Sequence, residues 1–189
     1  MLNTLETLRT NIRALITDLS KSGVETFTYI TSSIFDIAES NIITISKVLK
    51  NGSELGTGEY SFDSTTNKVT IIVSLTSNDI IEIDYTYYKY SDTELTEYIR
   101  ASLVWMSIFD TSCKDYEIET DDIYPTPDNQ TLDLTAIIAS ILIQPNWNEY
   151  RLPNLTVRYP RTLSKEEKIE KLINRFTIGI GVNDVLTFD

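Results

Sequence analysis

The chain has 189 residues, 41% of them hydrophobic and 23% charged, with 28 acids against 16 bases and a formal charge of −12. That composition predicts a folded chain with a real core, and its acidity argues against gripping a nucleic-acid backbone, which takes clustered Lys and Arg. The absence of histidine and the single cysteine, Cys113, exclude Ser-His-Asp catalysis, histidine-based zinc sites and an internal disulfide. No apolar run approaches the roughly 20 residues of a membrane span, and the first residues lack the basic head and apolar block of a signal peptide.

The first segment places Leu2, Leu5, Leu8, Ile12, Leu15, Ile16 and Leu19 at spacings of three and four, which predicts an amphipathic helix. Asn3 or Thr4 would cap it, and Ser22-Gly23 would stop it. Phe27 to Phe35 is rich in aromatic and β-branched residues and predicts a strand. Ile43, Ile45 and Lys47 alternate with Thr44, Ser46 and Val48, a second strand pattern. Asn51-Gly52 is a strong hairpin turn, after which Glu59–Phe62 is expected to pair back. Asp63–Asn67 turns again, Lys68–Ser74 forms a strand, and Asn78-Asp79 turns once more. Ile81, Ile83, Tyr85 and Tyr87 then share one side of a last strand whose other side carries Glu82, Asp84 and Thr86.

Ser91-x-x-Glu94 is a capping box and opens a helix with Leu95, Tyr98, Ile99, Leu103, Met106 and Phe109 on its apolar stripe. The acidic connection that follows, with Pro125 and Pro127, predicts an extended surface loop. Leu132 to Ile143 is apolar nearly all round, the mark of a buried helix, here ended by Pro145. Residues 149–163 read as extended, Ser164-x-x-Glu167 is a second capping box, and 177–189 read as a short strand or hydrophobic tail. The expected fold is α+β: a helical-bundle base, residues 1–26 and 91–189, with an antiparallel β-meander or small β-sandwich, 27–90, inserted between the first and second long helices.

Chemistry is sparse. Asp79, Glu82 and Asp84 could serve a carboxylate-based hydrolase, but they fall at turn and solvent-facing positions. The acidic run Asp115, Glu117, Glu119, Asp121 and Asp122 lacks the spacing and glycine of an EF-hand, so a solvated loop is favoured over Ca²⁺. Gly179-x-Gly181 is not followed by the helix a phosphate cradle needs. Neither catalysis nor a cofactor or metal is expected. Tyr85, Tyr87, Tyr88 and Tyr90 offer aromatic surface for sheet packing, a protein interface or a carbohydrate; alternation requires some to point inward. Charge is also uneven: residues 113–148 hold seven acids against one base, whereas 149–189 hold seven bases against six acids, so one copy's acidic loop could meet a neighbour's basic end.

The run NGSELGTGEYSFDSTTNKVTI, then SLTSNDIIEIDYTYY, then SDTELTEYIRASLVWMSIF, resembles the β-module and helix of tailed-bacteriophage neck proteins of the head-to-tail connector (adaptor) type. The resemblance covers about residues 27–110 and carries no catalytic motif. It implies a structural virion protein, made in the bacterial cytoplasm, that forms a homo-oligomeric ring, commonly of twelve copies. Such a ring joins the portal protein to the next neck or tail protein, around a channel through which DNA passes without sequence-specific binding. A tail terminator, stopper or baseplate protein is the nearest alternative, and a carbohydrate-binding module a remote one. The expected partner surfaces are the four tyrosines and the tail residues Phe176, Ile178, Ile180, Val182, Val185, Leu186 and Phe188. The acidic loop, Asp115 to Asp122, is expected to face the channel or a neighbour.

Overall fold

The computed structural model describes residues 4–109, 115–120, 122–153, 155–178 and 184–188. The fold is α+β and divides into two units, one of residues 1–18 and 92–189 and the other of residues 19–91.

In the first unit, α1 (Thr4–Leu15) buries Leu5, Leu8, Ile12 and Leu15 on one stripe, as the spacing predicts. Its stop is not Ser22-Gly23. Asp18 N donates to Arg13 O and Thr17 N to Ala14 O, with Thr17 at φ 54°: a Schellman end with a β-branched residue where glycine is usual. Arg13 also pairs with Asp18 and, at 2.8 Å, with Asp92 at the start of α2 (Asp92–Phe109). Arg9 donates to the Thr96 hydroxyl at 2.8 Å, so α1 and α2 run antiparallel.

Helix α3 (Asn129–Ile143) is capped by Asp128, which accepts from Thr131 N at 2.8 Å, and its residues Leu134 to Ile141 are buried without interruption. It packs against α1, α2 and α4 (Lys165–Ile178), which explains an apolar surface all round. The capping box opening α4 is present: Ser164 N donates to Glu167 Oε2 at 2.8 Å and Glu167 N to Ser164 Oγ at 3.2 Å. This unit is not purely helical. β8 (Glu117–Glu119) and β9 (Asp122–Tyr124) form a hairpin in the run expected to be a loop, because Ile118 and Ile123 face each other and Ile123 is buried. β10 (Glu149–Leu152) and β11 (Leu155–Arg158) form a second hairpin, and β12 (Asp184–Thr187) adds to β11 in parallel.

The second unit is a β-sandwich rather than a meander. β1 (Lys21–Thr28) begins before the expected strand, and the stretch 27–35 is split between it and β2 (Ile34–Asp36). One sheet has the order β1-β7-β3-β4, with β3 (Ile42–Lys50), β4 (Ser53–Glu54) and β7 (Ile80–Tyr87); the other has β2-β6-β5, with β5 (Tyr60–Asp63) and β6 (Lys68–Ile71). The Asn51-Gly52 turn is real, with φ of 50° and 80°, but β4 completes its hairpin while β5 pairs with β6. Two bulges in β3, at Ile43 and Ser46, break the simple alternation and place Val48 in the core with Phe35, Ile37, Val69, Ile71, Ile81, Ile83 and Tyr85.

Candidate functional site

The tyrosine strand turns inward. Tyr85 is 3% exposed, and its ring lies over Gly23, where an added Cβ would come within 2.5 Å of Cζ. Glycine is needed there because the ring occupies the space of a side chain. The Tyr85 hydroxyl donates to Glu25 Oε1 at 2.8 Å, and the same oxygen accepts from Ala38 N at 3.0 Å. Burial, reinforced by that carboxylate, raises the phenol well above its ordinary pKa. Tyr87 packs against the same core, its ring centroid 5.9 Å from that of Tyr85. Tyr88 and Tyr90 are half-buried, with the Lys89 ammonium 5.0 Å from the Tyr90 ring. Tyr85 is therefore a core residue and not a partner surface, a correction that follows from its place on the same strand face as Ile81 and Ile83.

In the C-terminal tail, Leu186 and Phe188 pack within their own unit. Leu186 is buried, Phe188 N donates to Arg158 O at 3.0 Å, and the Phe188 ring stacks on Tyr159 with centroids 5.0 Å apart and planes 10° off parallel. These two residues are corrected from free partner surface to internal packing. Phe176 is half-buried on α4. Ile178 and Val185 are placed by backbone alone, in α4 and β12, and Ile180 and Val182 lie outside the described residues.

Of the acidic run, Asp115, Glu117 and Glu119 are exposed, and Asp121 lies outside the described residues. Asp122 is engaged instead of free: hydrogen bonds from the Thr4 hydroxyl and then from Ile123 N hold its carboxyl below the usual range. A carboxylate from β9 thus serves the first residue of α1, at the positive end of that helix. Asp115 and Glu117, with Arg100, Leu103, Val104 and Ile118, line a groove of about 230 Å³ between α2 and β8.

Of the carboxylates weighed for hydrolysis, Asp79 has structural work. Asp79 accepts from Thr76 N and Asn51 Nδ2, each at 2.7 Å, and sits 3.1 Å from Lys50 Nζ. The Thr76 bond, followed by those from Asn51 and Lys50, holds its pKa far below the carboxylate norm. Asn51 Oδ1 accepts in turn from Ile80 N, so Asp79 ties two turns together. Among the described residues no group of three or more His, Cys, Asp or Glu could hold a metal, and no helix is long and apolar enough to cross a membrane.

Two features carried no local sequence signal. Lys168 is 1% exposed, and its ammonium donates to Pro145 O at 2.7 Å and Trp147 O at 2.8 Å, with Asn148 Oδ1 at 3.5 Å; desolvation lowers its pKa. It gathers the chain just after α3. Beside it, Trp147, Glu149 and Arg151 border a cleft of about 360 Å³ with Ala14, Leu15 and Thr17 at the end of α1. Glu149 binds both Arg151 at 2.6 Å and Arg158 at 3.3 Å. Among the described residues these groups form no cluster that could hold a metal ion. No protein-family model matches the chain, and no curated protein matches it in sequence.

Proposed function

We propose that the chain is a structural virion protein of the phage head-to-tail connector type, forming a ring that joins the portal to the next neck or tail protein and lets DNA pass. The observation that carries this reading is the organisation of the chain: a β-sandwich unit, 19–91, interrupts a unit made from 1–18 and 92–189, whose described residues form four helices, one three-stranded sheet and one two-stranded hairpin. A charge of −12 supports passage of DNA over binding, since an acidic wall repels phosphates where a basic one would hold them. The carbohydrate-binding alternative loses ground because Tyr85 and Tyr87 pack in the sandwich core.

The test is the mass of the purified protein, alone and mixed with its phage's portal, read by mass photometry and negative-stain imaging. A closed ring that co-sediments with portal supports the connector. A ring that ignores portal but caps tail tubes moves the protein to the terminator or stopper position. A strict monomer under both conditions refutes the proposal.

A further inference from the structure

Two surfaces of the helical unit match each other in chemistry and lie at opposite ends of the α1/α2 pair. On α2, Val104 and Ile108 are one turn apart and 54% and 62% exposed, an apolar pair beside the groove whose rim carries exposed Asp115 and Glu117. Arg100, also in the groove, lies 3.7 Å from Glu97, so the rim keeps an acidic balance. At the other end, Trp147 is 37% exposed next to Arg151, whose side chain is 69% exposed. Glu149 offsets only one of Arg151 and Arg158, so this aromatic surface is net basic. Arg13 meets Asp92 and Arg9 meets Thr96, which puts the α1 end of the Trp147 cleft level with the start of α2. Val104 is twelve residues further on, roughly 18 Å along the helix.

We infer that the occupant of each surface is a second copy of this chain, with Val104, Ile108 and Glu117 of one copy seated against Trp147 and Arg151 of the next. Three features favour a copy over an unrelated partner: apolar surface on both sides, opposite charge at the rims, and Trp and Arg, the residue types that concentrate binding energy, on one of them. Because the two surfaces are distinct and separated along the helix, the contact is head-to-tail, and a head-to-tail contact closes into a ring when its rotation permits. The inference rests on the ring reading above and assigns that ring its interface.

The experiment uses two full-length variants with substitutions at exposed positions, Val104→Lys/Glu117→Lys and Trp147→Ala/Arg151→Ser, their folding checked by circular dichroism and thermal unfolding. If wild type forms rings, each variant alone should be monomeric, and an equimolar mixture should stop at dimers, since only one intact contact remains per pair. The wild-type ring should also loosen about tenfold or more between low and high salt, a readout that needs no variant. Rings formed by either folded variant, variants that fail to pair with each other, or salt-insensitive assembly would overturn the interface and leave the ring reading standing. A wild type that stays monomeric with and without portal overturns both.

Discussion

Gly23→Ala should destabilise the β-sandwich sharply, and its size can be worked from the Tyr85 contact. A methyl group would lie 2.5 Å from Cζ, 2.6 Å from Cε2 and 2.8 Å from the hydroxyl oxygen. The ring is 3% exposed and anchored to Glu25, so it cannot swing aside without losing its bond. Overpacking costs about 1–3 kcal/mol, and a hydrogen bond to a charged group contributes about 1.5–3 kcal/mol. If the backbone yields in part, about 2–4 kcal/mol of the unit's stability is lost. Hydrogen exchange on peptides from 19–91 of the full chain is the suitable assay, because two units need not unfold in one step. In a Tyr85→Leu background the same glycine substitution should cost under about 1 kcal/mol, since the clash has gone, and that difference is the coupling energy. A Gly23→Ala cost below about 0.5 kcal/mol, with Tyr85→Phe weakening self-association while leaving exchange unchanged, would refute the core assignment and return Tyr85 to a partner surface.

Removing residues 184–189 should strip Leu186 from the core and Phe188 from Tyr159, a loss of about 2–4 kcal/mol from apolar burial and ring stacking; a truncated chain that melts like wild type would show that β12 does not dock in its own chain. Lys168→Met leaves Pro145 O without its donor and should cost about 1–3 kcal/mol by denaturant titration, whereas an unchanged midpoint would mean that the ammonium contributes nothing net. Burial raises the pKa of Tyr85, Tyr150 and Tyr159, so the folded state holds protons that the unfolded chain releases above about pH 10. Stability should therefore fall as pH rises past 10, with three of the 11 tyrosines ionising at 295 nm only as the circular dichroism is lost; ionisation of all of them before unfolding contradicts this. Thr17→Gly removes a β-branched side chain from φ 54° and should raise stability by about 0.5–1 kcal/mol after the added unfolded-state entropy, measurable as a higher denaturation midpoint in the first unit; a lower one would show that the left-handed turn is unstrained.

Local rules carried the elements whose determinants are adjacent in sequence. The three-and-four spacing of Leu5, Leu8 and Ile12, the Ser164–Glu167 box, the Asn51-Gly52 turn and the Ile81-Ile83-Tyr85 face all appear as read. What escaped depends on a distant partner. Ser22-Gly23 reads as a helix stop because nothing nearby announces Tyr85, which pairs with Gly23 across β1 and β7 and turns a breaker into a strand position. Thr17 hides the true stop because glycine is the usual signal there. The acidic run hides a hairpin because its charges face solvent while Ile118 and Ile123 pair inward. The partner of β12, a segment read as a short strand or hydrophobic tail, escapes because its parallel neighbour β11 lies some 30 residues upstream, and parallel pairing leaves no turn signature.

The same long-range contacts bear on the assembly proposed above. The two segments whose aromatic and apolar content made them the obvious partner surfaces, the tyrosine strand and the tail, spend much of that content inside their own units: Tyr85 against Gly23, Leu186 and Phe188 beside Tyr159. Apolar residues that remain in solvent are more informative, since a side chain at an exposed helix position contributes nothing to the fold that a polar one could not. Val104 and Ile108 stay on one stripe of α2 beside carboxylates, and Trp147 beside Arg151. The proposed contact between copies would account for both choices at once, and for the division of the chain's acids and bases between neighbouring stretches. If assembly uses those residues, the β-sandwich is released from holding neighbours together and is free to carry the contact to a different protein.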